Sequence, residues 1–125
     1  MVGQPMRSEY DTFEKRIATF TRWPENHFLS KNAAANAGFF FSGYSDCVRC
    51  FFCGGGLRHW EPQDDVRVEH ARWFPKCQFL QQTVGQDFIN VVGDLKKGSA
   101  PISLSAVESE LRRRQSQMTK LNSKL

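Results

Sequence analysis

The amino-acid sequence predicts an α+β fold in which short helices surround a small three-stranded antiparallel sheet. The first observation is that apolar residues recur at helical spacing over residues 9–20, and that later segments also have helical character. The second is that three short β-prone runs lie between residues 39 and 60, separated by turns that contain glycine. The third is that all eleven phenylalanines and all three tryptophans fall within residues 13–88, which confines the core to that interval.

The first half of this interval is predicted to contain two helices and then the sheet. A helix over residues 9–20 carries four large apolar residues on one face: Tyr10, Phe13, Ile17 and Phe20. Trp23 and Pro24 end it, and an alanine-rich helix over residues 31–37 is closed by Gly38, a residue type suited to a C-terminal cap. The sheet follows as three strands in chain order: residues 39–41, 47–52 and 57–60.

The second half is predicted to be helical. Asp64 or Asp65 caps a helix that reaches Trp73 and stops before Pro75, because the residue preceding a proline avoids helical backbone angles. Arg72 on this helix is expected at the surface. Two short helices follow: residues 76–83 and 86–92.

Composition divides the chain into segments. We predict four of them: a mobile lead over residues 1–8, a folded domain over 9–92, a linker with glycine and proline over 93–103, and a basic tail over 104–125. Residues 1–92 carry ten basic and ten acidic side chains, whereas residues 93–125 carry seven and three, so the net charge of +4 lies in the last part of the chain. A nucleic-acid-binding fold would instead carry its basic residues on a folded face, so we expect no specific nucleic-acid partner.

The tail is predicted to contain a helix. Ser105 and Glu108 have the spacing of a capping box, and apolar residues recur every three to four positions from Leu104 to Leu125, interrupted by Arg114. Two outcomes stay open. Such a helix can mediate self-association, or it can be marginal within a mobile tail, since isolated helices of this length are weak in water.

The cellular compartment is inferred from what the sequence lacks. The first ten residues have no apolar run of the kind found in secretory signals, and no stretch approaches the roughly 20 apolar residues that span a bilayer. We therefore expect a cytoplasmic location, with the nucleus as an additional one, and no membrane partner. In a reducing compartment, clustered cysteines bind metal or do redox chemistry and are not cross-linked.

Three cysteines and one histidine have the spacing of a metal site, Cys50-x2-Cys53-x16-His70-x6-Cys77. The Cys-x-x-Cys turn brings two thiolates to one ion, and His70 and Cys77 complete a tetrahedron from the helical region that follows. Soft thiolates with one imidazole select Zn2+, and four protein ligands leave no open position, so the sequence predicts one structural zinc ion. Cys47 is expected to be a packed or partly exposed thiol and not a ligand, because residues three apart on a strand face opposite sides.

Three other interpretations of the cysteine pattern stay open at the level of spacing. A redox Cys-x-x-Cys motif lies near a βαβ unit and needs no following histidine and cysteine. Disulfides are disfavoured by the expected compartment, and a buried thiol beside an ordinary core histidine is the third alternative. Outside the four ligands no spare Cys/His/Asp or Ser/His/Asp set stands out, so we do not expect an enzyme and assign no catalytic residue.

Four ordered runs of residues surround the metal pattern: Arg16-x-x-Thr19-Phe20-x-x-Trp23-Pro24; Ala37-Gly38-Phe39-x-x-x-Gly43; Asp46-x-Val48-x-Cys50-Phe51-x-Cys53-Gly54-Gly55-Gly56-Leu57-x-x-Trp60; and Glu69-His70-Ala71-x-Trp73-Phe74-Pro75-x-Cys77-x-Phe79-Leu80. Together they resemble the baculoviral IAP repeat (BIR) domain of the inhibitor-of-apoptosis family over residues 7–92. The resemblance implies the small zinc-binding BIR fold and the same four zinc ligands.

The Gly-Gly-Gly-Leu run and Asp64 resemble the BIR domains that carry a peptide groove, called type II. By resemblance, the groove takes the free N-terminus of a partner that begins with alanine, as on processed caspases and mitochondrial antagonists. The resemblance implies eight peptide-binding residues: Gly56, Leu57, Arg58, His59, Trp60, Asp64, Glu69 and Trp73. The implied function is capture of such motifs to restrain apoptosis. The alternative is a survivin-like scaffolding protein that binds a histone tail or chromosomal partners.

The residue types fit these roles physically. The Asp64 carboxylate can pair with an α-ammonium group, and Leu57 and Trp60 can wall a pocket for a methyl group. The indole N–H of Trp73 can donate to a peptide carbonyl, and the strand that holds Leu57 can pair with an extended peptide. Each residue also has a simpler interpretation: Asp64 as a helix cap, and the two tryptophans and Leu57 as core side chains.

Overall fold

The computed structural model describes residues 3–98 and 100–123 of the 125-residue chain. Its elements in chain order are a 3-10 turn Ser8–Tyr10, α1 Phe13–Ile17, α2 Lys31–Asn36, β1 Phe39–Phe41, β2 Val48–Cys50, β3 Gly56–Leu57, α3 Val66–Trp73, α4 Gln78–Val84, α5 Gln86–Leu95 and α6 Leu104–Ser123. The predicted α+β class is confirmed, with helices around one three-stranded sheet. Within the described part of the chain, no helix has the length and apolar character needed to cross a bilayer.

The sheet has the predicted order β1-β2-β3, with both pairs antiparallel. Phe39 lies opposite Cys50, and Val48 lies opposite Leu57. Phe39, Val48 and Cys50 are buried, so the core extends along the sheet to the cysteine-bearing turn. β2 and β3 are both shorter than predicted. β3 ends at Leu57 because His59 adopts a left-handed backbone with φ of 60°, which interrupts the extended run.

The prediction of one helix over residues 9–20 is wrong. The 3-10 turn ends at Tyr10 and α1 begins only at Phe13. The reason is that the Thr12 side chain accepts a hydrogen bond from the Lys15 N–H at 3.2 Å and so caps a new helix. The four apolar residues behind the prediction nevertheless all pack on the core.

Arg16 on α1 is buried and joins the first two helices to the rest of the domain. Its Nε donates to the Ala35 carbonyl at 2.8 Å, and its Nη1 donates to the Tyr10 carbonyl at 3.0 Å. The guanidinium carbon lies 4.8 Å from the centroid of the Phe51 ring, beside the turn that holds Cys53. A single charged side chain therefore links α1, α2 and the cysteine turn.

The lead predicted as mobile over residues 1–8 is hydrogen-bonded where it is described. The Met6 N–H donates to the Phe52 carbonyl at 3.0 Å, and the Arg7 N–H donates to the Phe51 carbonyl at 2.9 Å. The first two residues of that lead lie outside the described part of the chain. The division of the chain into four segments stays a prediction.

Helix α3 begins after Asp65, whose carboxylate accepts from the N–H groups of Arg67 and Val68 at 2.9 and 3.1 Å. Asp65, and not Asp64, is therefore the cap of this helix. Helix α5 extends to Leu95, beyond its predicted end, and packs against α3 through buried side chains. The segment predicted as a linker is thus helical in its first three residues.

Helix α6 is 20 residues long and packs along α5. Its predicted start is wrong, because Ser103, and not Ser105, accepts the Ala106 N–H at 3.1 Å and caps the helix. Four apolar side chains tie this region to the core: Ile102, Leu104, Val107 and Leu111. The last two residues of the predicted tail, including Leu125, lie outside the described residues. The start of the tail is therefore part of the folded domain.

Candidate metal centre and peptide cleft

Four side chains converge where the sheet meets α3 and α4. Cys50 ends β2, Cys53 lies in the turn after it, His70 is on α3, and Cys77 immediately precedes α4. The ligand atoms of these four residues all lie within 4.8 Å of one another. Spacing therefore predicted the right set, and Cys47 is buried but does not belong to the group.

The distances fit a tetrahedral zinc ion. The Sγ atoms of Cys50 and Cys77 are 3.8 Å apart, and the Sγ atom of Cys53 is 3.8 Å from Nε2 of His70. Zinc–sulfur bonds of about 2.3 Å at tetrahedral angles place two ligand sulfurs about 3.8 Å apart. Three thiols and one imidazole are also a donor set that zinc accepts and that magnesium and calcium do not favour. The side chains present therefore fit one Zn2+ ion.

Three thiolates at this spacing require a cation. Hydrogen bonding with Cys53, and then with Cys77, raises the pKa of the Cys50 thiol, whereas hydrogen bonding from Cys50 lowers the pKa of the Cys77 thiol. Three neighbouring thiolates repel one another, so metal binding to the cluster would release the protons that the thiols still hold. Because all four positions are taken by protein ligands, the Zn2+ of this site contributes to folding and has no place for a reacting water.

Two glycines allow the backbone to pass close to the metal centre. A Cβ atom on Gly38, where φ is 99°, would lie 2.8 Å from the ring of Phe79. A Cβ atom on Gly55 would lie 2.7 Å from the ring of Phe74. Real Cβ atoms do not approach neighbouring side chains so closely, so larger residues at either position would push the cysteine turn away from its helices.

A cleft of about 230 Å³ opens between the end of β3 and α3. Seven of the eight residues predicted to bind a peptide line it: Leu57, Arg58, His59, Trp60, Asp64, Glu69 and Trp73. The eighth, Gly56, lies in β3 and is paired with Arg49 of β2. Sequence reasoning missed three further lining residues: Glu61, Arg72 and Pro101. The residues are brought together as expected, and their binding of a peptide stays a prediction.

Two carboxylates stand on one side of the cleft. Asp64 accepts the Glu61 N–H at 2.9 Å, so it caps the turn before α3, and Glu69 accepts the indole N–H of Trp73 at 3.3 Å. Burial, and then the charge of Asp64, raises the pKa of Glu69. The Trp73 indole N–H, predicted to await a peptide carbonyl, is therefore already used by Glu69. This side of the cleft is suited to a cation.

The two tryptophans of the cleft differ in burial. Trp60 is 6% exposed and its indole nitrogen is buried with no hydrogen-bond partner among the described residues, so it is a core side chain as well as a wall of the cleft. Trp73 is 50% exposed, so the core interpretation does not hold for it. Leu57, between these extremes, packs partly on the core.

Asp46, in the turn between β1 and β2, fixes the backbone at one edge of the cleft. Its carboxylate accepts the N–H groups of His59 and Trp60 at 2.8 and 2.9 Å. Nε2 of His27 lies 3.4 Å from the same carboxylate, while Nδ1 accepts the Leu29 N–H at 3.0 Å, so the neutral ring carries its proton on Nε2. Burial opposes ionisation, but the hydrogen bonds outweigh it and lower the pKa of Asp46. The sequence marks Asp46 within a motif without revealing these partners.

Arg72 was predicted at the surface, and this is wrong. It is 6% exposed, and its terminal nitrogens donate to the carbonyls of Ala100 and Gly98 at 2.7 and 2.8 Å. These partners lie 28 and 26 residues further along the chain and are backbone groups, so no local pattern of residue types signals the contact.

Known proteins match both the sequence and the fold. The model of the Inhibitor of Apoptosis (BIR) domain family matches residues 16–81. Baculoviral IAP repeat-containing protein 7 of Mus musculus is 49% identical over 88 residues, which cover 70% of this chain and 31% of that protein. Baculoviral IAP repeat-containing protein 3 of Homo sapiens is 47% identical over 81 residues, which cover 65% of this chain and 13% of that protein. The chain thus spans less than a third of the length of these curated relatives.

A solved structure extends the match to three dimensions. The crystal structure of DIAP1 BIR1 bound to a Grim peptide superposes with a TM-score of 0.56 at 32% identity, covering 82% of this chain and 92% of that one. The family match spans more than half of the chain and includes all four side chains of the metal centre. The chain therefore belongs to the Inhibitor of Apoptosis (BIR) domain family.

Proposed function

We propose that the chain is a zinc-stabilised peptide-binding module whose cleft captures free N-terminal alanine motifs of processed caspases or mitochondrial antagonists, and that this capture restrains apoptosis. One observation carries the proposal. The carboxylates of Asp64 and Glu69 share a small cleft with the apolar side chains of Leu57 and Trp60. An N-terminal alanine carries a positively charged α-ammonium group next to a methyl side chain, so it matches both features of the cleft.

A free N-terminus supplies the cation that suits this cleft. An α-amino group has a pKa of about 7.7–8.0 and is largely charged at neutral pH, so it can donate charge-assisted hydrogen bonds to Asp64 and Glu69. Its charge also offsets the repulsion from Asp64 that, after burial, raises the pKa of Glu69. A blocked N-terminus leaves these carboxylates desolvated and unpaired, at a cost of about 2–5 kcal/mol.

The strand next to the cleft suits an extended peptide. In the described residues β3 pairs only with β2, so the other edge of Gly56–Leu57 offers its backbone groups to a further strand. The metal centre supports both walls, because β3 begins three residues after Cys53 and the ligand His70 lies between Glu69 and Trp73. Zinc therefore contributes to binding through the shape of the cleft.

The relatives support the same proposal. A similar protein of Sus scrofa is named "Putative inhibitor of apoptosis", and the DIAP1 BIR1 domain crystallised with a Grim peptide has the same fold. Those descriptions apply to those proteins, and for this chain the cleft residues above are what support the proposal.

A fluorescence titration tests the proposal. Because Trp60 and Trp73 line the cleft, the intrinsic fluorescence of the zinc-loaded chain should change as an alanine-started tetrapeptide is added. We expect saturable binding, and an N-acetylated copy of the peptide should bind at least about 30-fold more weakly. Equal binding of the two peptides, or no binding of either, would reject the proposal.

A second candidate function is the survivin-like scaffold, and one observation favours it. Helix α6 is 20 residues long, and Met118 and Leu121 on it are 62% and 59% exposed. A scaffold would use such side chains for self-association or for a partner helix. Sedimentation over a wide concentration range tests this candidate: a dimer abolished by Met118→Glu with Leu121→Glu supports it, and a monomer throughout contradicts self-association.

A further inference from the structure

Among the serines and threonines of the sequence, two have an arginine three residues before them: Thr19 and Ser116. Ser116 ends the run Arg112-Arg113-Arg114-Gln115-Ser116, so three arginines precede it. Protein kinases select substrates by charge pattern, and a kinase cleft that presents carboxylates binds arginines just before the acceptor hydroxyl through bidentate hydrogen bonds. Two candidate acceptors therefore exist, and the structure distinguishes between them.

The hydroxyl of Thr19 is used inside the folded domain. It donates to the Arg16 carbonyl at 2.6 Å and accepts the Phe41 N–H at 2.8 Å. Arg16 itself is buried, and its Nε donates to the Ala35 carbonyl at 2.8 Å. Neither the hydroxyl nor the arginine before it is therefore accessible to a kinase while the domain is folded.

Ser116 lies on the exposed second half of α6. Val107 and Leu111 in the first half pack on the core, and Nη2 of Arg114 donates to Asp94 of α5 at 2.8 Å. Beyond Arg114, every described residue of α6 is exposed. Helical turns without tertiary support are marginal in water, so this half of the helix can open locally while the domain stays folded. Local opening brings the Ser116 hydroxyl within reach of a kinase cleft.

The charged residues that share a face with Ser116 are basic. From Arg112 to the end of the sequence there are five basic residues and no acidic one. Positions three and four residues apart lie on one face of a helix, which places Arg112, Arg113 and Lys120 beside Ser116. A phosphate on Ser116 carries a charge of about −1.5 to −2 at neutral pH and would gain charge-assisted hydrogen bonds from these neighbours.

The present partners of the arginines do not prevent these contacts. Arg113 and Arg114 pair with Glu110, and Arg112 donates to the Ser109 hydroxyl at 3.3 Å. These contacts lie at the surface, where ion pairs contribute little to stability. A kinase or a phosphate can therefore replace them.

We propose that Ser116 is a phosphorylation site for an arginine-directed protein kinase. The Oγ atom of Ser116 forms a bond to the γ-phosphorus of ATP, the bond from that phosphorus to the oxygen that bridges to the β-phosphate breaks, and ADP leaves. The hydroxyl proton passes to a carboxylate of the kinase. The proposal does not depend on peptide capture by the cleft. Ser116 also lies outside the family match, which ends at residue 81.

Phosphorylation of the full zinc-loaded chain tests the proposal. The probes are ATP with Mg2+ and cyclic-AMP-dependent protein kinase, an enzyme that recognises arginines two and three residues before its acceptor. The unaltered chain is compared with Ser116→Ala, which removes the acceptor, and with Arg113→Gln, which removes one arginine and keeps the hydroxyl. The control is Ser109→Ala, since Ser109 is another exposed serine of α6 but follows Glu108 instead of a run of arginines.

We expect stoichiometric phosphate at Ser116, located by peptide mass spectrometry, in the unaltered chain and in Ser109→Ala, and its loss in Ser116→Ala. Arg113→Gln should lower the kcat/KM of the kinase for the chain about 10- to 100-fold, because a charge-assisted bidentate contact is lost. All three substituted side chains are exposed, so zinc content and far-UV circular dichroism should match those of the unaltered chain.

Three results would overturn the proposal: no phosphate on Ser116 of the zinc-loaded chain, an equal kcat/KM for Arg113→Gln and the unaltered chain, or phosphate on Thr19 at a rate comparable to that on Ser116. The first two would show that the run of arginines does not direct a kinase to this hydroxyl. The third would show that the fold does not protect Thr19 and so does not distinguish the two candidates.

Discussion

The carboxylate of Glu69 lies in the cleft at a position where its charged form is destabilised when no ligand is bound. Glu69 is partly buried beside Asp64, and burial followed by the charge of Asp64 raises its pKa, so two carboxylates of like charge oppose each other there. The metal centre does not need these groups, since its ligands are thiols and an imidazole. The charge of Arg72 offsets these effects on the pKa of Glu69 only in part, so a cation from a partner would stabilise the pair further, and perturbed carboxylates of this kind are common at functional sites.

The first prediction concerns Asp64. Asp64→Asn should weaken binding of a free alanine-started peptide about 10- to 100-fold, because a hydrogen bond between two charged groups becomes one to a neutral amide. The matched control is Asp65→Asn, which alters the neighbouring carboxylate but keeps a good helix cap. Calorimetric titration measures both, with zinc content as the check on folding. Equal losses in the two variants would show that Asp64 has no special role.

The second prediction concerns Asp46. Asp46→Asn should lower the free energy of unfolding by about 1–3 kcal/mol, because the His59 and Trp60 N–H groups use different carboxylate oxygens and the amide would turn an NH2 group toward one of them. Asp11→Asn is the control, since that exposed aspartate pairs with Lys15 at the surface. Urea unfolding at constant zinc measures both variants. A loss no greater than that of the control would contradict the assigned role.

Residue-level prediction succeeded where chemistry dictates spacing. Four zinc ligands must meet at bond distances, so the Cys-x-x-Cys turn and the later histidine and cysteine were identifiable from order alone. It failed for Arg72, and it gave no partners for Asp46, because both bind backbone groups. Every residue carries such groups, so residue types in the sequence do not reveal these contacts.

At the level of elements, the competition between local and tertiary effects decides where helices begin and end. The periodic face over residues 9–20 predicted one helix, but the side chain of Thr12 offered the backbone a local cap and divided it. For α6 the balance is reversed. An isolated helix of this length is only marginally stable in water, and packing of Val107 and Leu111 against the domain provides the additional stability. Arg114 adds a surface ion pair with Asp94 of α5.

The third prediction tests this origin of α6. Val107→Ala should cost about 2 kcal/mol, because two buried methyl groups are lost from a fully buried site. Hydrogen exchange should accelerate along α6 and on the α5 residues that it covers. Met118→Ala is the control, since that side chain is 62% exposed and its loss should leave exchange unchanged. Uniform protection of α6 in both variants would show that the helix is stable without docking.

At the level of the whole molecule, the metal centre stabilises a domain with a small core. Cys50 and Cys53 anchor the strand side, and His70 and Cys77 anchor α3 and α4, so one ion joins the elements on either side of the cleft. The four zinc–ligand bonds therefore also hold the two sides of the peptide cleft in position. Small domains of this size often need such a link, because their apolar burial alone barely exceeds the loss of chain entropy.

The fourth prediction follows from this arrangement. Zinc binding in small domains contributes about 10–16 kcal/mol, which exceeds the total stability of most domains, so chelation should unfold the chain. Far-UV circular dichroism and tryptophan fluorescence should show loss of structure on chelation and recovery when zinc is restored. Cys77→Ser should likewise abolish peptide binding without altering any residue of the cleft. A cooperative thermal transition in the zinc-free chain would contradict this account.

If a zinc-held cleft between β3 and α3 binds a free N-terminus, a two-dimensional amide NMR titration will show the contact at the residues that line the cleft. Adding the alanine-started peptide to the zinc-loaded chain should shift the backbone signals of Leu57 and Arg58 and the indole signal of Trp73, and the acetylated copy at equal concentration should shift them little. Another cleft, more apolar, is lined by residues that include Met6 and Phe74. Shifts centred on that cleft, or equal shifts from both peptides, would show that the cleft between β3 and α3 does not bind a free N-terminus.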